Sequence, residues 1–223
     1  MSIAPRQLAL ALDHAESFAR EDFLSGPSNA MGLALIDAWP AWPHRTVMLT
    51  GPEGSGKSHL AAVWALAAGA RLIAARALEE ASVPSALATG ALVVEDVAAG
   101  AFDERALFHL LNLAREDEAF VLLTARVAPV TFAIRDLGSR LNAIPVVAMA
   151  PPDDALLRAV LVKLFADRQL AVDESLIGYV ATRIERSFAA ARAAVARLDE
   201  EAMRRKRPLT RTFAAEILRV TEP

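Results

Sequence analysis

The chain has 223 residues, of which 54% are hydrophobic, and its 24 Lys and Arg against 27 Asp and Glu give a formal net charge of −3. This composition excludes an intrinsically disordered chain, and the slightly negative charge argues against a domain that binds nucleic acid over its whole surface. The absence of cysteine excludes disulfides and thiolate metal sites and suits a reducing compartment.

Two features argue against a membrane or secreted protein. No stretch without a charge is longer than residues 81–94, which are too few to span a bilayer and are interrupted by Pro84. At the N-terminus, Arg6, Asp13 and His14 interrupt the apolar run that a signal peptide would need. We therefore expect a soluble, cytoplasmic protein without a membrane partner.

The first elements alternate between strands and helices. Short apolar runs predict strands at residues 46–50, 71–75, 91–94, 120–124 and 146–149. Helical spacing of apolar residues appears at residues 59–68 and 102–115. This alternation predicts an α/β fold, a five-stranded parallel sheet with helices on both faces. Because the runs show no polar alternation, we expect strands that are buried on both faces.

After Pro151 and Pro152 only helical patterns follow, at residues 153–168, 173–183, 187–205 and 210–220. The chain is therefore predicted to consist of three parts. A tail covers residues 1–20, an α/β nucleotide-binding domain covers residues 21–150, and a small all-helical lid domain covers residues 151–223.

The strongest motif is GPEGSGKS at residues 51–58, between a predicted strand and a predicted helix. It fits the phosphate-binding loop G-x-x-x-x-G-K-[ST], whose backbone amides surround phosphate oxygens. Lys57 would reach the β- and γ-phosphates, and the Ser58 hydroxyl would ligate Mg²⁺. The alternative is a glycine-rich turn with an unrelated lysine, but lysine occurs only three times in the chain. The candidate nucleotide-binding residues are Gly51, Pro52, Gly54, Ser55, Gly56, Lys57, Ser58 and His59.

A partner for this loop should be an apolar strand that ends in carboxylates, and ALVVED at residues 91–96 fits. The first acid, Glu95, would ligate the magnesium ion, and the second, Asp96, would polarise the attacking water as a catalytic residue. In ordinary members of this class an aspartate comes first, so we expect a working Mg²⁺ site with poor hydrolytic geometry. The alternative is an acidic pair that faces solvent.

Over almost its whole length the sequence resembles the AAA+ ATPases of the DnaA group, and most closely the Hda proteins, DnaA-related regulators of replication initiation. Besides the phosphate loop, the resemblance is carried by FLSGPSNAMGLALI (23–36), LFHLLN (107–112), LLTAR (122–126) and DLGSRL (136–141). It implies an AAA+ P-loop NTPase domain in which Thr124 senses the γ-phosphate. It also implies that Arg140 is a catalytic arginine finger, which completes the active site of another subunit. Judged on residue type alone, the alternative for Arg140 is an ordinary surface salt bridge.

Two departures from the group limit what the resemblance implies. The arginine that reaches from the lid to the nucleotide would fall on Ala189, and the role does not transfer to Arg186 or Arg192, one turn to either side. We therefore expect poor hydrolysis by the chain itself. No helix-turn-helix recognition helix follows, so we expect no sequence-specific reading of DNA.

The tail contains QLALAL, in which Gln7, Leu8, Leu10 and Leu12 resemble the clamp-binding motif of Hda proteins. An extended segment of this kind places apolar anchors in a groove of its partner, here the β subunit of DNA polymerase III, the sliding clamp. The alternative is an edge strand or a staple onto the domain. The basic run at residues 204–207 could contact DNA phosphates or form a solvated helix end.

Together these features predict a regulator that docks on the DNA-loaded sliding clamp and promotes hydrolysis of the ATP bound to DnaA, with Arg140 acting in trans. The resemblance implies ADP, or ATP, with Mg²⁺ as the bound cofactor. Two alternatives stay open: a self-sufficient AAA+ ATPase of the helicase-loader or remodelling type, and a pure binding adaptor. A homodimer also stays open.

Overall fold

The structure, a computed structural model, describes residues 19–129 and 131–218. The clamp motif predicted at Gln7, Leu8, Leu10 and Leu12 lies outside the described residues.

A five-stranded sheet forms the first part of the chain. Its strands are β1 (Thr46–Thr50), β2 (Arg71–Ala74), β3 (Ala91–Glu95), β4 (Phe120–Ala125) and β5 (Val146–Ala148). They lie in the order β2-β3-β4-β1-β5, and every neighbouring pair is parallel. The predicted five-stranded parallel sheet is therefore confirmed. The register places Leu49 of β1 beside Thr124 of β4, so the carboxyl ends of these two strands meet at one edge of the sheet.

Five α-helices accompany the sheet: α1 (Ala30–Asp37), α2 (Lys57–Ala68), α3 (Val83–Ala86), α4 (Glu104–Glu116) and α5 (Arg135–Ala143). Short 3-10 helices lie at Arg20–Asp22, Ala75–Ala77 and Glu80–Ser82. Hydrophobic spacing predicted α2 and α4 but not α1, α3 or α5. Asp103 begins α4, since its side chain accepts hydrogen bonds from the backbone N–H groups of Arg105 and Ala106.

The central strands are buried on both faces. Val47 and Leu49 of β1 pack with α1 and α2 on one face, whereas Met48 between them packs with α4 and α5 on the other. This is the two-residue alternation of a strand, with an apolar partner for each side. The two edge strands differ from the prediction of full burial: Leu72 in β2 is 48% exposed and Val146 in β5 is 46% exposed. Each edge strand has a neighbour on one side only.

A separate hydrophobic cluster unites the helices that follow: α6 (Asp154–Asp167), α7 (Glu174–Ala181), α8 (Phe188–Arg205) and α9 (Arg211–Leu218). All four begin one residue after the predicted start, because the side chains at those starts, Asp153, Asp173, Ser187 and Thr210, each accept a hydrogen bond from a backbone N–H of the first turn. Within the described residues, none of these helices or those of the sheet domain has the length and apolar character that crossing a bilayer requires.

The basic run at residues 204–207 is tied to two carboxylates. Arg204 and Arg205 pair with Glu201 of α8, and Arg205 and Arg207 pair with Glu216 of α9. These ion pairs connect the end of α8 to α9, and they favour a helix end with a local structural role over a DNA contact.

Candidate nucleotide-binding site

A cavity of about 1100 Å³ lies between the sheet and the helices that follow it. The phosphate loop and the start of α2 supply part of its wall, namely Gly54, Gly56, Lys57, Ser58 and His59. Asp96 after β3 and Arg126 after β4 lie at the carboxyl edge of the sheet, and α6 and α8 close the opposite side with Val160, Leu164, Ala189 and Arg192. The cavity is therefore bounded by the sheet and its loops on one side and by the helices α6 and α8 on the other.

Two glycines shape the loop. Gly54 and Gly56 have φ values of +72° and +97°, in the left-handed region where a side chain is strained. A Cβ atom at Gly54 would lie 2.5 Å from Cβ of Ser187, so the start of α8 packs directly on the loop. Gly56 is the N-cap of α2 and no side chain caps this helix. Its first N–H groups are thus left for an anionic ligand, as in phosphate-binding loops.

Lys57 is the buried cation of the site, with 7% of its surface exposed. Its Nζ donates hydrogen bonds to the carbonyl oxygens of Gly51 at 2.7 Å and Pro52 at 2.8 Å. Burial lowers the pKa of Lys57, while the negative charge of Asp96 opposes this shift. The lysine that the motif assigned to phosphate thus sits within the loop, with its ammonium group held by backbone oxygens.

The other predicted loop residues divide into two groups. Ser58 and His59 line the cavity, and the His59 ring packs edge-on against Phe23, another lining residue, at 5.2 Å between ring centroids. Among the described residues, Gly51, Pro52 and Ser55 do not line it. Ser55 lies inside the loop, where its Oγ is buried without a hydrogen-bond partner in the described part of the chain.

The side chains of the two acids at the end of β3 lie in different surroundings. Asp96 has a φ of +58°, a conformation that aspartate tolerates better than most residues, and it lines the cavity. Glu95 is not on the cavity wall as far as the structure describes it, and its Oε1 is buried without a hydrogen-bond partner. The carboxylate that faces the cavity is therefore Asp96, and the role of Glu95 as a Mg²⁺ ligand stays a prediction.

The residues present fit a nucleotide with Mg²⁺. Within residues 19–129 and 131–218, no group of three His, Cys, Asp or Glu side chains is arranged to hold a metal ion on its own. A P-loop does not need one, because the serine hydroxyl and the phosphates supply ligands. Here Ser58 and Asp96, both on the cavity wall, are the side chains that could share such an ion with phosphate oxygens.

Thr124 lies below the cavity floor. It is 1% exposed, and its Oγ1 accepts a hydrogen bond from the backbone N–H of Asp96 at 3.2 Å. Its carbonyl oxygen accepts another from the N–H of Val97 at 2.8 Å. The threonine thereby fixes the backbone that presents Asp96, and contact with a γ-phosphate stays a prediction.

Arg140 lies away from the cavity, on α5. It is partly exposed, and its guanidinium carbon lies 5.3 Å from the centre of the Phe108 ring on α4. No carboxylate among the described residues pairs with it. A cation stacked on an aromatic ring keeps its N–H donors available at the ring's edge. Arg140 is thus placed where a neighbouring molecule could meet it.

Eight charged residues of the cavity wall were not among the predicted site residues, namely Asp22, Glu53, Arg76, Arg126, Lys163, Asp167, Arg168 and Arg192. Arg192 follows Ala189 by three residues on α8, and this spacing was the available signal because it places both on one helix face. Arg186, the other arginine near Ala189, is exposed and pairs with Asp154 at 2.9 Å.

Comparison with solved structures identifies the fold. Domain III of the Thermotoga maritima replication initiation protein DnaA is similar with a TM-score of 0.75 and 19% identity, covering 91% of this chain and 96% of that one. AMPPCP-bound DnaA from Aquifex aeolicus is similar with a TM-score of 0.66 and 17% identity, covering 86% of this chain and 69% of that one. The Thermotoga maritima RuvB Holliday junction branch migration motor has a TM-score of 0.69 and 18% identity, covering 86% and 67%. No protein-family model and no curated protein matches the sequence. The chain has the AAA+ fold.

Proposed function

We propose that this chain is a nucleotide-binding AAA+ protein that regulates replication initiation. It docks on the DNA-loaded sliding clamp through its N-terminal tail and promotes hydrolysis of ATP bound to DnaA. The observation that carries the proposal is the position of Arg140, which lies outside the chain's own cavity and has no carboxylate partner among the described residues. A guanidinium that does not line the chain's own cavity supports a role at the nucleotide of a neighbour.

The cavity would hold ADP, or ATP, with Mg²⁺. Lys57 and the uncapped amides of α2 would bind the phosphates, and Ser58 and Asp96 would hold the ion. The DnaA of Aquifex aeolicus was solved with AMPPCP, which supports a nucleotide in this fold. ADP as the resident nucleotide rests on the resemblance to Hda proteins, and Ala189 in place of an arginine supports weak turnover by the chain itself.

The arginine finger supplies a planar cation to the negative charge that develops on the transferred phosphoryl group. Phe108 would orient this cation through the stacking contact at 5.3 Å. A nucleotide that contacts both the phosphate loop and α8 would fix the helices α6 to α9 relative to the sheet. Arg140 on α5 would then be presented to DnaA in one arrangement.

The direct test measures ATP hydrolysis by DnaA in the presence of DNA-loaded clamp and this protein. Arg140→Ala should lower the stimulated rate by about 10³-fold, the lower end of the range for arginine fingers. Arg135→Ala is the matched control, since Arg135 is an exposed arginine at the start of the same helix. If Arg140→Ala leaves the stimulation intact, the arginine-finger assignment is wrong and a binding adaptor is left.

Clamp docking needs its own experiment because the motif lies outside the described residues. Gln7→Ala combined with Leu8→Ala removes the glutamine and one apolar anchor of the proposed motif. We expect the variant to lose binding to immobilised clamp while its affinity for ADP is unchanged. Unchanged retention on the clamp would reject the motif.

A self-sufficient ATPase is the second candidate, and it is favoured by Asp96, whose carboxylate faces the cavity. This hypothesis predicts steady ATP turnover by the isolated protein, which is lost on Lys57→Ala and on Asp96→Asn. The regulatory hypothesis predicts turnover close to background in the unaltered protein and in both variants.

A further inference from the structure

Besides Lys57, one of the cations on the cavity wall is paired with the phosphate loop itself. Arg126, the residue directly after β4, forms an ion pair between its Nη2 and Oε2 of Glu53 in the phosphate loop. Both side chains line the cavity. The pair thus connects the end of one strand to the loop that follows the neighbouring strand.

The backbone holds Arg126 next to the loop. The N–H of Gly51 donates to the carbonyl oxygens of both Ala125 and Arg126, at 3.2 Å each. The first residue of the phosphate loop is therefore bonded to the residue that carries the guanidinium. This shared hydrogen bond holds the backbone of Arg126 beside the loop, whichever group the Arg126 side chain binds.

The side chains themselves are far less constrained. That of Arg126 is 68% exposed and that of Glu53 is 74% exposed. Ion pairs with this exposure contribute at most about 1 kcal/mol to stability. An anion with more charge than one carboxylate could therefore replace Glu53 at little cost.

Both charges lie within electrostatic range of the ammonium group of Lys57. After burial and the charge of Asp96, the positive charge of Arg126 lowers the pKa of Lys57 and the negative charge of Glu53 raises it. A phosphate bound beside Lys57 at this end of the cavity would be influenced by the same two groups. Arg126 would attract it and Glu53 would repel it.

We propose that Arg126 is a second phosphate-binding cation and that Glu53 occupies it until a triphosphate binds. The inference rests on the nucleotide site proposed above. The terminal phosphate of a nucleoside triphosphate displaces Glu53 from Arg126, whereas a diphosphate leaves the Arg126–Glu53 pair intact. The pair thus distinguishes the two nucleotides at the loop.

The test compares dissociation constants for MgADP and the non-hydrolysable Mg-AMPPCP, measured by titration calorimetry on the full chain. Arg126→Ala should weaken AMPPCP by about tenfold or more, as expected for loss of a charge-assisted hydrogen bond, and change ADP by less than about threefold. Glu53→Gln should strengthen AMPPCP several-fold. In the double variant the benefit of Glu53→Gln should shrink to the part that direct repulsion accounts for, because the cation that Glu53 occupies is no longer there.

Arg45 and Glu118 provide matched controls. They form another exposed Arg–Glu ion pair, at 3.0 Å, next to the amino ends of β1 and β4 and away from the cavity wall. Arg45→Ala and Glu118→Gln should leave both dissociation constants unchanged. Equal effects of Arg126→Ala on ADP and AMPPCP would overturn the proposal. So would a benefit of Glu53→Gln that is undiminished without Arg126, since Glu53 would then act by repulsion alone.

Failure of this inference can be told apart from failure of the nucleotide site itself. If Lys57→Ala abolishes binding of both nucleotides but Arg126→Ala changes neither, the site stands and the second cation is wrong. If the unaltered protein binds neither nucleotide, both proposals are wrong.

Discussion

The phosphate end of the cavity and the surface of α5 place cations in opposite ways. Lys57 is 7% exposed, and its donors are bound to two carbonyl oxygens of its own loop. Arg140 is partly exposed and lies over an aromatic ring, and in the described part of the chain its side chain makes neither an ion pair nor a hydrogen bond. The buried arrangement of Lys57 suits a ligand that stays bound to the chain, and the exposed arrangement of Arg140 suits a transient contact with another molecule.

This difference indicates that the surrounding structure fixes the residues of the nucleotide-binding site more tightly than those of the proposed activating surface. The cavity residues are held by glycine conformations, a parallel register and the start of α8, and small changes there should be costly. The surface of α5 depends on few contacts, so most changes there should be tolerated. The predictions that follow test this contrast.

The largest contrast should appear in the affinity for nucleotide. We expect Lys57→Ala to weaken binding of MgADP by about 100-fold, because the cation closest to the phosphates is lost. Arg140→Ala should change the same dissociation constant by less than about twofold. Titration calorimetry measures both. A comparable loss in the two variants would mean that Arg140 serves the chain's own site and that the contrast is false.

The next effect concerns stability. Gly54 and Gly90 have nearly equal φ values of +72° and +74°, but only at Gly54 would an added Cβ meet other atoms, 2.5 Å from Cβ of Ser187. Gly90→Ala should therefore cost the strain of the backbone alone, about 1 kcal/mol. Gly54→Ala should cost about 2 kcal/mol more because of the steric overlap. Urea unfolding compares the two variants, and equal costs would show that α8 does not press on the loop.

A smaller effect is expected from pH. Burial lowers the pKa of Lys57 below 10.5 in the free protein, and bound phosphate anions would raise it again. At a pH between the pKa of Lys57 in the free protein and its higher pKa in the complex, the protein takes up a proton when ADP binds. The affinity for ADP should therefore fall as the pH rises above the pKa of the free protein, by up to about tenfold per pH unit. Lys57→Arg should lack this fall, since arginine stays protonated. An equal fall in both proteins would assign it to another group.

The smallest effect concerns the ring beneath Arg140. Phe108→Leu removes the stacking contact but keeps an apolar side chain, so stimulation of DnaA should fall about threefold, the equivalent of a weak cation–π contact. Affinity for ADP should not change. Tyr179→Leu removes a similar ring, 5.3 Å from the guanidinium carbon of Arg183 on the helical part, and should leave the stimulation unchanged. If both variants reduce stimulation alike, the loss is not specific to Arg140.

Much of the fold could be predicted because the signals were local. Apolar runs located all five strands, and the three residues that cap α6, α7 and α8 stood at the predicted starts. The helices that were missed have weak patterns: only Leu137 and Leu141 of α5 are buried. Burial of the edge strands was overestimated because a run of apolar residues does not show whether a strand has one neighbour or two.

The site was predictable where one segment builds it. The phosphate loop places Gly54, Gly56, Lys57, Ser58 and His59 on the cavity wall as expected. Contacts between distant segments were not predictable, since Glu53 and Arg126 are 73 positions apart and meet only through the pairing of β1 with β4. Nor does the order of Glu95 and Asp96 reveal which of them faces the cavity, because that depends on the positive φ of Asp96.

The hydrogen bond from the N–H of Phe188 to the carbonyl oxygen of Gly54, at 2.9 Å, joins the phosphate loop to the base of α8. That helix has 18 residues, which makes it about 27 Å long at 1.5 Å per residue. A tilt of about 10° at its base would move its far end by about 5 Å. A rearrangement of the loop that tilts α8 would therefore be amplified at the distant α8–α9 corner.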